Sequence, residues 1–516
     1  MIIRSSETST EKDMDLLTLD AKALQALLTD GQVMSYDLVK RYLAQIVQHD
    51  DKLRAMIKTT PIELLEATAI SLDEERASGK IRGPLHGIPI LIKDNIATHP
   101  SLGLPTTVGS LALLSSKPSK NAHIIDQIID AGLIIMGKTN LPEFANARGS
   151  KMPNGWSAVR GQTESAYVRG RAEDGNTPEG HWNPSGSSTG SAVGVSAGYA
   201  PIAIGTETDG SLVSPSNRAA LYTIKPTIGL VSGEGIIPIS STFDSAGPMT
   251  KSTYDLAVLL DVLVTEPASE SFTTSLTGSW SDISVAALDP AVWKLEMDND
   301  NPADGARDQI NREIREAYKA IEEKAKKFVN NIDLISPDEF KIDGESCEWT
   351  IVQADMKPQL NAYLEGLEES DVRSLAEIIA FNEKHADLEL PPHHPRQDTL
   401  IKSQNNTTSA EEYERNLSFL RQMGREKGVD LALKTHGVDV IIGPADSELS
   451  SMASATGYPI CAMPLSYLDL NGRPFGMAAI AGKHQEHLLI KVMSAWEATF
   501  PARQPPPQLV NPVCSL

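Results

Sequence analysis

The chain has 516 residues, 41% hydrophobic and 22% charged, and this balance excludes a collagen, a coiled coil and a wholly disordered protein. Its formal charge of −22 at pH 7 argues against nucleic acid or an anionic membrane as partner, because an acidic surface repels phosphate groups. No apolar run approaches the roughly 20 residues that span a bilayer, and the three scattered cysteines are typical of a reducing compartment, so we expect a cytoplasmic protein.

The charge is spread unevenly along the chain. Residues 81–260 carry as many basic as acidic side chains and are rich in Gly, Ser and Thr, which predicts a packed core crossed by tight loops. Most of the acidic excess lies beyond residue 260, where charged helical stretches alternate with polar loops. We expect one domain over 1–516 that comprises an N-terminal helical region, a core, a variable helical layer and a return to the core, over 1–80, 81–265, 266–437 and 438–500.

The N-terminal region predicts helices. Leu38, Tyr42 and Ile46 recur at the spacing of one helical face. Residues 60–63, Thr-Pro-Ile-Glu, form a capping-box pattern with proline at the first helical position, and the helix that they start is expected to end near Gly79.

Short apolar runs in the core predict buried strands. The first, residues 87–93, ends at a lysine, and the helix predicted over 121–131 is closed by Gly132. Further strands are predicted over 133–136, 201–205 and 438–442. Strands that alternate with helices predict an α/β fold whose sheet is covered on both faces.

Residues 132–139 match the phosphate-loop pattern letter for letter, which is typical of a nucleotide-binding protein. The context argues against this function. A phosphate loop is a glycine-rich turn that follows a strand, whereas Leu-Ile-Ile-Met at 133–136 is itself an apolar run that follows a predicted helix. Nucleotide binding therefore stays as an alternative from a different functional class.

Residues 186–190 match the nucleophile-elbow pattern of esterases, with Ser188 as the nucleophile. An elbow requires a buried strand directly before it. The preceding residues 181–185 are polar and contain a proline, so this match is rejected as well.

Three features of the neutral segment belong together: a lysine that ends an apolar strand at Lys93, a serine loop over 185–191 and a second loop over 205–211. In order and flanking sequence they resemble the amidase signature family. The resemblance rests on six ordered blocks, at 87–96, 137–144, 186–192, 205–211, 225–229 and 244–248. It implies a single large α/β domain with a central twisted mixed sheet.

The resemblance implies a catalytic triad in which Ser211 is the nucleophile, Ser187 a bridging serine on a cis peptide after Gly186, and Lys93 the base. A serine hydroxyl is a weak nucleophile and needs a proton acceptor nearby. Lysine accepts a proton only when it is neutral, which requires burial and a pKa lowered to roughly 7 to 8. We therefore expect Lys93 to be buried and the carboxylate of Asp94 to point elsewhere.

The backbone N–H groups of the second loop are expected to stabilise the oxyanion of a tetrahedral intermediate. The residues concerned are Thr208, Asp209, Gly210 and Ser211. Ser188, Thr206 and Asn140 are expected to support the triad, whereas Lys225 and Asp244 are interpreted as structural. No metal or organic cofactor is implied, and the pair 393–394, His-His, is interpreted as a surface loop rather than a metal site.

The implied function is an amidohydrolase that converts a carboxamide into an acid and ammonia or an amine through an acyl-enzyme. Glu207, Asp209 and Val213 stand where most members have Asp, Gly and Arg, and this variant is most similar to the peptide amidase branch. The substrate is then a peptide C-terminal amide or a small aryl or alkyl amide. The alternative within the family is a glutaminase-type subunit of an amidotransferase complex.

The polar stretch over 156–182 contains two tryptophans and is expected to line or gate the substrate entrance. Pocket residues are expected mainly in the variable layer. Relatives occur as monomers and homodimers, and both states remain open for this chain.

Overall fold

One mixed sheet of eleven strands runs through the computed structural model, which describes residues 14–170, 172, 180–266, 269–295 and 305–510. The strands are β1 (Met56–Thr59), β2 (Pro89–Lys93), β3 (Ile134–Thr139), β4 (Ile202–Glu207), β5 (Tyr222–Lys225), β6 (Ser245–Thr250), β7 (Ser284–Ala287), β8 (Lys327–Val329), β9 (Val440–Pro444), β10 (Ile460–Tyr467) and β11 (Pro474–Ala481). They lie side by side in the order β1-β3-β2-β4-β6-β5-β10-β11-β9-β7-β8.

Parallel and antiparallel pairs both occur in this sheet. Strand β2 is parallel to β3 on one side and to β4 on the other, so the carboxyl ends of these three strands share one edge of the sheet. Strand β4 is antiparallel to β6, and β10 is antiparallel to both β5 and β11. The expected mixed α/β sheet is confirmed.

The described residues also form α-helices. They are α1 (Ala21–Thr29), α2 (Ser35–Leu53), α3 (Ile62–Ala77), α4 (His123–Asp130), α5 (Thr189–Ser196), α6 (Val213–Asn217), α7 (Thr253–Leu263), α8 (Ala306–Glu322), α9 (Cys347–Glu365), α10 (Leu375–Lys384), α11 (Ala386–Glu389), α12 (Asp398–Gln404), α13 (Ala410–Gly424), α14 (Asp430–His436), α15 (Leu449–Thr456) and α16 (Glu486–Thr499). No helix of the described ranges combines the length and the apolar character needed to cross a membrane.

Alternate residues of the later strands enter two separate hydrophobic cores. Val440 and Ile442 of β9 belong to one core, whereas Ile441 between them belongs to the other. This period of two is the side-chain alternation of a strand with both faces buried. Helices α1 to α4, α7, α8 and α16 contribute to the first core, and helices α9, α10 and α12 to α15 contribute to the second.

The predicted strands and helices are present, with shifted ends. Strand β3 continues to Thr139, three residues beyond its predicted end, and α3 begins one residue after Pro61. The predicted capping box does not form, because the hydroxyl of Thr60 donates to the carbonyl of Ile135 in the sheet (2.7 Å).

The region over 266–437 is not only a helical layer. Strands β7 and β8 extend one edge of the sheet, where β7 pairs in parallel with both β9 and β8. Helix α8 ends at Glu322, and the chain enters β8 at Lys327. Helices α9 to α14 lie between β8 and β9 in the sequence.

Candidate active site

Lys93 is the last residue of β2, and its side chain is completely buried. Its Nζ lies within hydrogen-bond distance of the Oγ atoms of Ser187 (2.8 Å) and Ser188 (2.9 Å) and of the backbone carbonyl of Thr206 (3.0 Å). Because Thr206 lies near the end of the neighbouring parallel strand β4, the lysine joins the sheet edge to the serine loop.

Burial lowers the pKa of Lys93 to about 7, against the opposing influence of the carboxylates of Asp244 and Glu207. The charged ammonium form loses its hydration in the interior, which favours the neutral amine. The neighbouring Asp94 does not counteract this shift, because its carboxylate accepts hydrogen bonds from the backbone N–H (3.0 Å) and the hydroxyl of Thr107. Lys93 is therefore populated as a free base near neutral pH.

The serine loop leads into helix α5. The peptide bond between Gly186 and Ser187 is cis, as the resemblance implied. A Cβ added at residue 186 would lie 2.6 Å from Oδ1 of Asn154, so only glycine fits here without displacing that side chain.

Ser188 connects the serine loop to the second loop. Its N–H donates to the carbonyl of Ser211 (3.1 Å). Its hydroxyl donates to the carbonyl of Thr206 (3.0 Å) and accepts from the N–H of the same residue (3.2 Å). These bonds bring Ser187 and Ser211 to the same edge of the sheet as Lys93.

The loop that carries Ser211 connects β4 to the short helix α6 and is shaped by a buried carboxylate. Oε2 of Glu207 accepts hydrogen bonds from the N–H groups of Leu212 (2.6 Å) and Val213 (3.0 Å). These donors begin α6 and would otherwise lack partners. The chain is bent over Glu207, and Ser211 lies at this bend, 7% exposed.

Four consecutive backbone N–H groups of this loop are available to a ligand. Within the described part of the chain, none of them donates to a protein acceptor; they belong to Thr208, Asp209, Gly210 and Ser211. The bend passes through Gly210, whose φ of 74° lies in the left-handed region that favours glycine. Unpaired donors next to a serine form an arrangement suited to an oxyanion.

Asp244, at the start of the neighbouring strand β6, holds the loop from the side. Its carboxylate accepts from the hydroxyl of Thr208 (2.6 Å) and from the N–H groups of Ile239 (2.8 Å) and Ser240 (2.9 Å). Burial raises the pKa of Asp244 to about 6, although these bonds oppose the shift. The contacts agree with the predicted structural role.

Thr206 and Asn140, both expected to support the triad, differ in their contacts with it. Thr206 contacts Lys93 through its carbonyl, whereas its hydroxyl accepts from Nδ2 of Asn95 (3.0 Å). Asn140 does not contact the triad: its carbonyl accepts from the N–H of Gly190 (2.8 Å) in α5, and its amide holds loop residues between 155 and 163. Asn140 thus holds segments next to the site, whereas direct support of the three triad residues was expected.

Sequence reasoning missed the contacts that helix α15 makes with the site. The hydroxyl of Ser451 donates to Oδ2 of Asp209 (2.6 Å), and that of Ser454 donates to Oε1 of Glu348 on α9 (2.9 Å). Burial is the main cause that raises the pKa of both carboxyl groups, and Asp209 also raises the pKa of Glu348. No local pattern indicated these contacts, because 242 residues separate Asp209 from Ser451.

The expected role of the two tryptophans at the substrate entrance stays a prediction. The ring of Trp156 packs against the guanidinium of Arg148 (5.1 Å) and the ring of His394 (4.9 Å). Part of the stretch over 156–182 lies outside the described residues.

The N–H of His394 closes a surface turn on the carbonyl of Pro391 (2.8 Å), and no cluster that could hold a metal ion occurs among the described residues.

The amidase family model matches residues 37–490. The chain belongs to the amidase family. It therefore hydrolyses amide C–N bonds. An Arabidopsis thaliana protein named as a candidate amidase is 31% identical, over 94% of this chain and 90% of its own length.

The solved structure of the peptide amidase from Stenotrophomonas maltophilia superposes on this amidase with a TM-score of 0.82 at 32% identity. The match covers 94% of this chain and 98% of the peptide amidase. One component of the glutamyl-tRNA(Gln) amidotransferase from Chloroflexus aurantiacus is 37% identical, but over only 51% of this chain and 52% of its own. The similarity to the amidotransferase component is thus partial.

The structure also accounts for the phosphate-loop match. Residues 134–139 form the buried strand β3 rather than a loop. Nζ of Lys138 is completely buried and donates to the carbonyl of Ile96 (2.5 Å) and the hydroxyl of Thr106 (3.0 Å). A lysine held in this way cannot reach a nucleotide phosphate, so the nucleotide-binding alternative has no structural support.

Proposed function

We propose that this amidase cleaves peptide C-terminal amides or small aryl or alkyl amides to the acid and ammonia, with Ser211, Ser187 and Lys93 as its catalytic triad. The observation that carries the proposal is the hydrogen bond between Nζ of Lys93 and Oγ of Ser187, beside the loop of Ser211. The match along nearly the full length of the peptide amidase supports the substrate class.

The hydrogen bonds around Lys93 indicate why Ser187, rather than Ser188, relays the proton. A neutral lysine has two N–H donors and one lone pair. The Thr206 carbonyl can only accept, and the Ser188 hydroxyl already donates to that carbonyl, so both take N–H donors from Lys93. The lone pair is left for the hydroxyl proton of Ser187.

In the proposed acylation step, Ser211 Oγ attacks the amide carbon while its proton passes to Ser187, whose own proton passes to Lys93. The N–H groups of residues 208–211 stabilise the negative oxygen of the tetrahedral intermediate. The C–N bond then breaks as the nitrogen receives the proton back from Lys93 through Ser187, and ammonia leaves. Water attacks the acyl-enzyme by the same proton route and releases the acid.

The test is ammonia release by the purified single chain from a panel of amides. We expect Ser211→Ala and Lys93→Ala to abolish release. Full activity in both variants would contradict the triad. The panel also tests the substrate class, because peptide amides, benzamide and aliphatic amides differ in the group attached to the same carboxamide.

Two adjacent serines provide a matched pair, since both Oγ atoms contact Nζ of Lys93. Loss of a proton relay is expected to lower kcat by about 10² to 10⁴ in Ser187→Ala. Ser188→Ala removes three supporting hydrogen bonds but not the proposed relay, and it is expected to retain more activity than Ser187→Ala. Equal losses in the two variants would show that Ser187 is not the relay.

A further inference from the structure

A cavity of about 180 Å³ lies next to the catalytic loops. We name it the aliphatic funnel. Thr206 and Thr208, which flank Glu207, line it, and Gly229 and Gly233 are among its exposed lining residues. Its apolar wall comes from one segment of the core and consists of Ile228, Val231, Ile236, Ile237, Pro238 and Ile239.

The funnel contains no basic group. Among the described residues that line it, Asp244 is the single ionisable one, and both of its carboxylate oxygens accept hydrogen bonds from the protein. A negatively charged group of a substrate would meet no cation here and would lose its hydration. The funnel is therefore suited to an uncharged, apolar group.

The volume limits the size of this group. A cavity of about 150 Å³ lined by aliphatic and aromatic side chains holds one benzene molecule. A funnel of about 180 Å³ has room for a phenyl ring or a branched aliphatic group of four to five carbons, but not for a long chain.

A second, larger cleft of about 520 Å³ lies on the other side of the turn formed by residues 144–146. All three residues of this turn have positive φ (49°, 52° and 78°), a conformation that non-glycine residues adopt rarely and mostly at functional sites. Ala145 lines the funnel, whereas Asn146 lines the outer cleft. The outer cleft also contains charged side chains, those of Lys151, Glu345, Asp398 and Lys402.

We propose that the aliphatic funnel binds the acyl group of the substrate and that it selects an uncharged phenyl or branched aliphatic group. The inference rests on the proposed function, because release of ammonia leaves no bulky group on the nitrogen side to fill an apolar cavity. The turn over 144–146 separates this group from the polar outer cleft. Specificity is then set by residues 228–239 of the core rather than by the variable layer.

An exposed glycine of the funnel allows a direct test. A Cβ added at Gly233 meets no atom within 4 Å, so Gly233→Trp adds a large side chain to the lining of the funnel without a backbone clash. A Cβ added at Gly83, which precedes the block over 87–96, also meets no atom within 4 Å. Gly83→Trp is therefore the matched control. Gln353→Trp places the same side chain in the outer cleft.

The measurement is kcat/KM for acetamide, isovaleramide, benzamide and succinamate with each variant. We expect the unmodified enzyme to prefer isovaleramide and benzamide over acetamide by at least about tenfold, since each buried methylene contributes roughly tenfold or more. Gly233→Trp should lower kcat/KM for isovaleramide and benzamide by at least about tenfold. Gly83→Trp and Gln353→Trp should leave these values unchanged.

Three results would overturn the proposal: a preference for succinamate, no effect of Gly233→Trp, or a loss in Gln353→Trp instead. Calorimetric binding of isovaleramide to Ser211→Ala gives a readout without turnover. If isovaleramide binds and Gly233→Trp weakens binding while no amide is hydrolysed, the funnel assignment holds and the proposed reaction fails. If amides are hydrolysed without these preferences, the funnel assignment fails alone.

Discussion

Nζ of Lys93 lies 2.8 Å from Oγ of Ser187, although 94 residues separate the two in the sequence. One ends a buried strand and the other follows a cis peptide bond, and a third segment supplies Ser211 at the bend after β4. The parallel arrangement of β2 and β4 places all three at one sheet edge. The proposed base, Lys93, is thus completely buried, whereas the proposed nucleophile, Ser211, is slightly exposed.

Activity is expected to rise with pH through about pH 7. Burial lowers the pKa of Lys93 to about 7, and only its neutral form accepts a proton. Below this pKa the neutral fraction falls about tenfold for each pH unit, and kcat/KM should fall with it. A profile from pH 5 to 9 measures the effect, with Lys93→Arg as a variant that should be inactive throughout. A flat profile would argue against a neutral lysine base.

A buried cluster of one carboxylate and two guanidinium groups supports the serine loop. We expect it to increase the free energy of unfolding at neutral pH. Oδ2 of Asp446 lies 2.6 Å from Nη1 of Arg473 and 3.3 Å from Nε of Arg218. Nη1 of Arg218 also holds the carbonyls of Gly180 (2.9 Å) and Asn183 (3.0 Å), shortly before the serine loop. Burial opposes ionisation of Asp446, but the two arginines outweigh it and hold its pKa well below the usual range.

Asp446→Asn should therefore lower the free energy of unfolding at pH 7 by about 3 to 5 kcal/mol, because it removes the buried carboxylate that pairs with both guanidinium groups. A depressed pKa stabilises the fold above the unfolded value of about 4, and this stability is lost as the pH falls further. The difference in the free energy of unfolding between Asp446→Asn and the unmodified protein should shrink below about pH 4. Denaturant titrations measure it, and the exposed pair Glu75–Arg82 gives a control, Glu75→Gln, that should change little.

The lysine and the two serine loops could be predicted because each lies in a contiguous block with its own signature. Lys93 ends an apolar run, and the loops of Ser187 and Ser211 are rich in glycine. The hydrogen bonds that support these blocks come from far along the chain. The bond from Ser451 to Asp209 leaves no periodicity in either segment, so sequence reasoning could not find it.

The helix cap at Thr60 and strand β7 were mispredicted for the same reason, because contacts with distant segments decide their structure. Thr60 has the local pattern of a helix cap, but its hydroxyl bonds to the neighbouring strand, and the tertiary contact overrides the local preference. Strand β7 has only four residues, Ser-Val-Ala-Ala, and is recognisable as a strand only beside β9. The sequence predicted best those segments in which the candidate catalytic residues lie inside a recognisable local pattern.

Lys138 is expected to contribute to stability and not to nucleotide binding. Burial lowers its pKa to about 8, although the carboxylate of Asp94, 3.9 Å away, opposes this shift. Lys138→Met leaves the carbonyl of Ile96 and the hydroxyl of Thr106 without this donor and should lower the free energy of unfolding by roughly 1 to 3 kcal/mol. Lys80→Met, at an exposed lysine, is the control. Calorimetry should detect no ATP binding; binding that Lys138→Met removes would revive the phosphate-loop interpretation.

Behind the nucleophile loop, Asp209 and Glu348 are held by hydroxyls from the same face of helix α15, those of Ser451 and Ser454. Besides burial, Asp209 raises the pKa of Glu348, whereas the side chain of Lys225 lowers that of Asp209. Repulsion by Asp209 therefore opposes a negative charge on Glu348. Asp209 is itself one of the four residues whose N–H groups face a developing oxyanion in the proposed mechanism.

Ionisation of Glu348 adds a second negative charge behind this loop, which opposes the negative oxygen of the intermediate. We therefore expect kcat to fall at alkaline pH by on the order of tenfold, less than the loss of an oxyanion donor would cause. Glu348→Gln cannot ionise and should lack this fall in a kcat profile from pH 6 to 10. Asp209→Asn removes a charge that raises the pKa of Glu348 and should move the fall to lower pH. A fall that persists in Glu348→Gln would show that another group causes it.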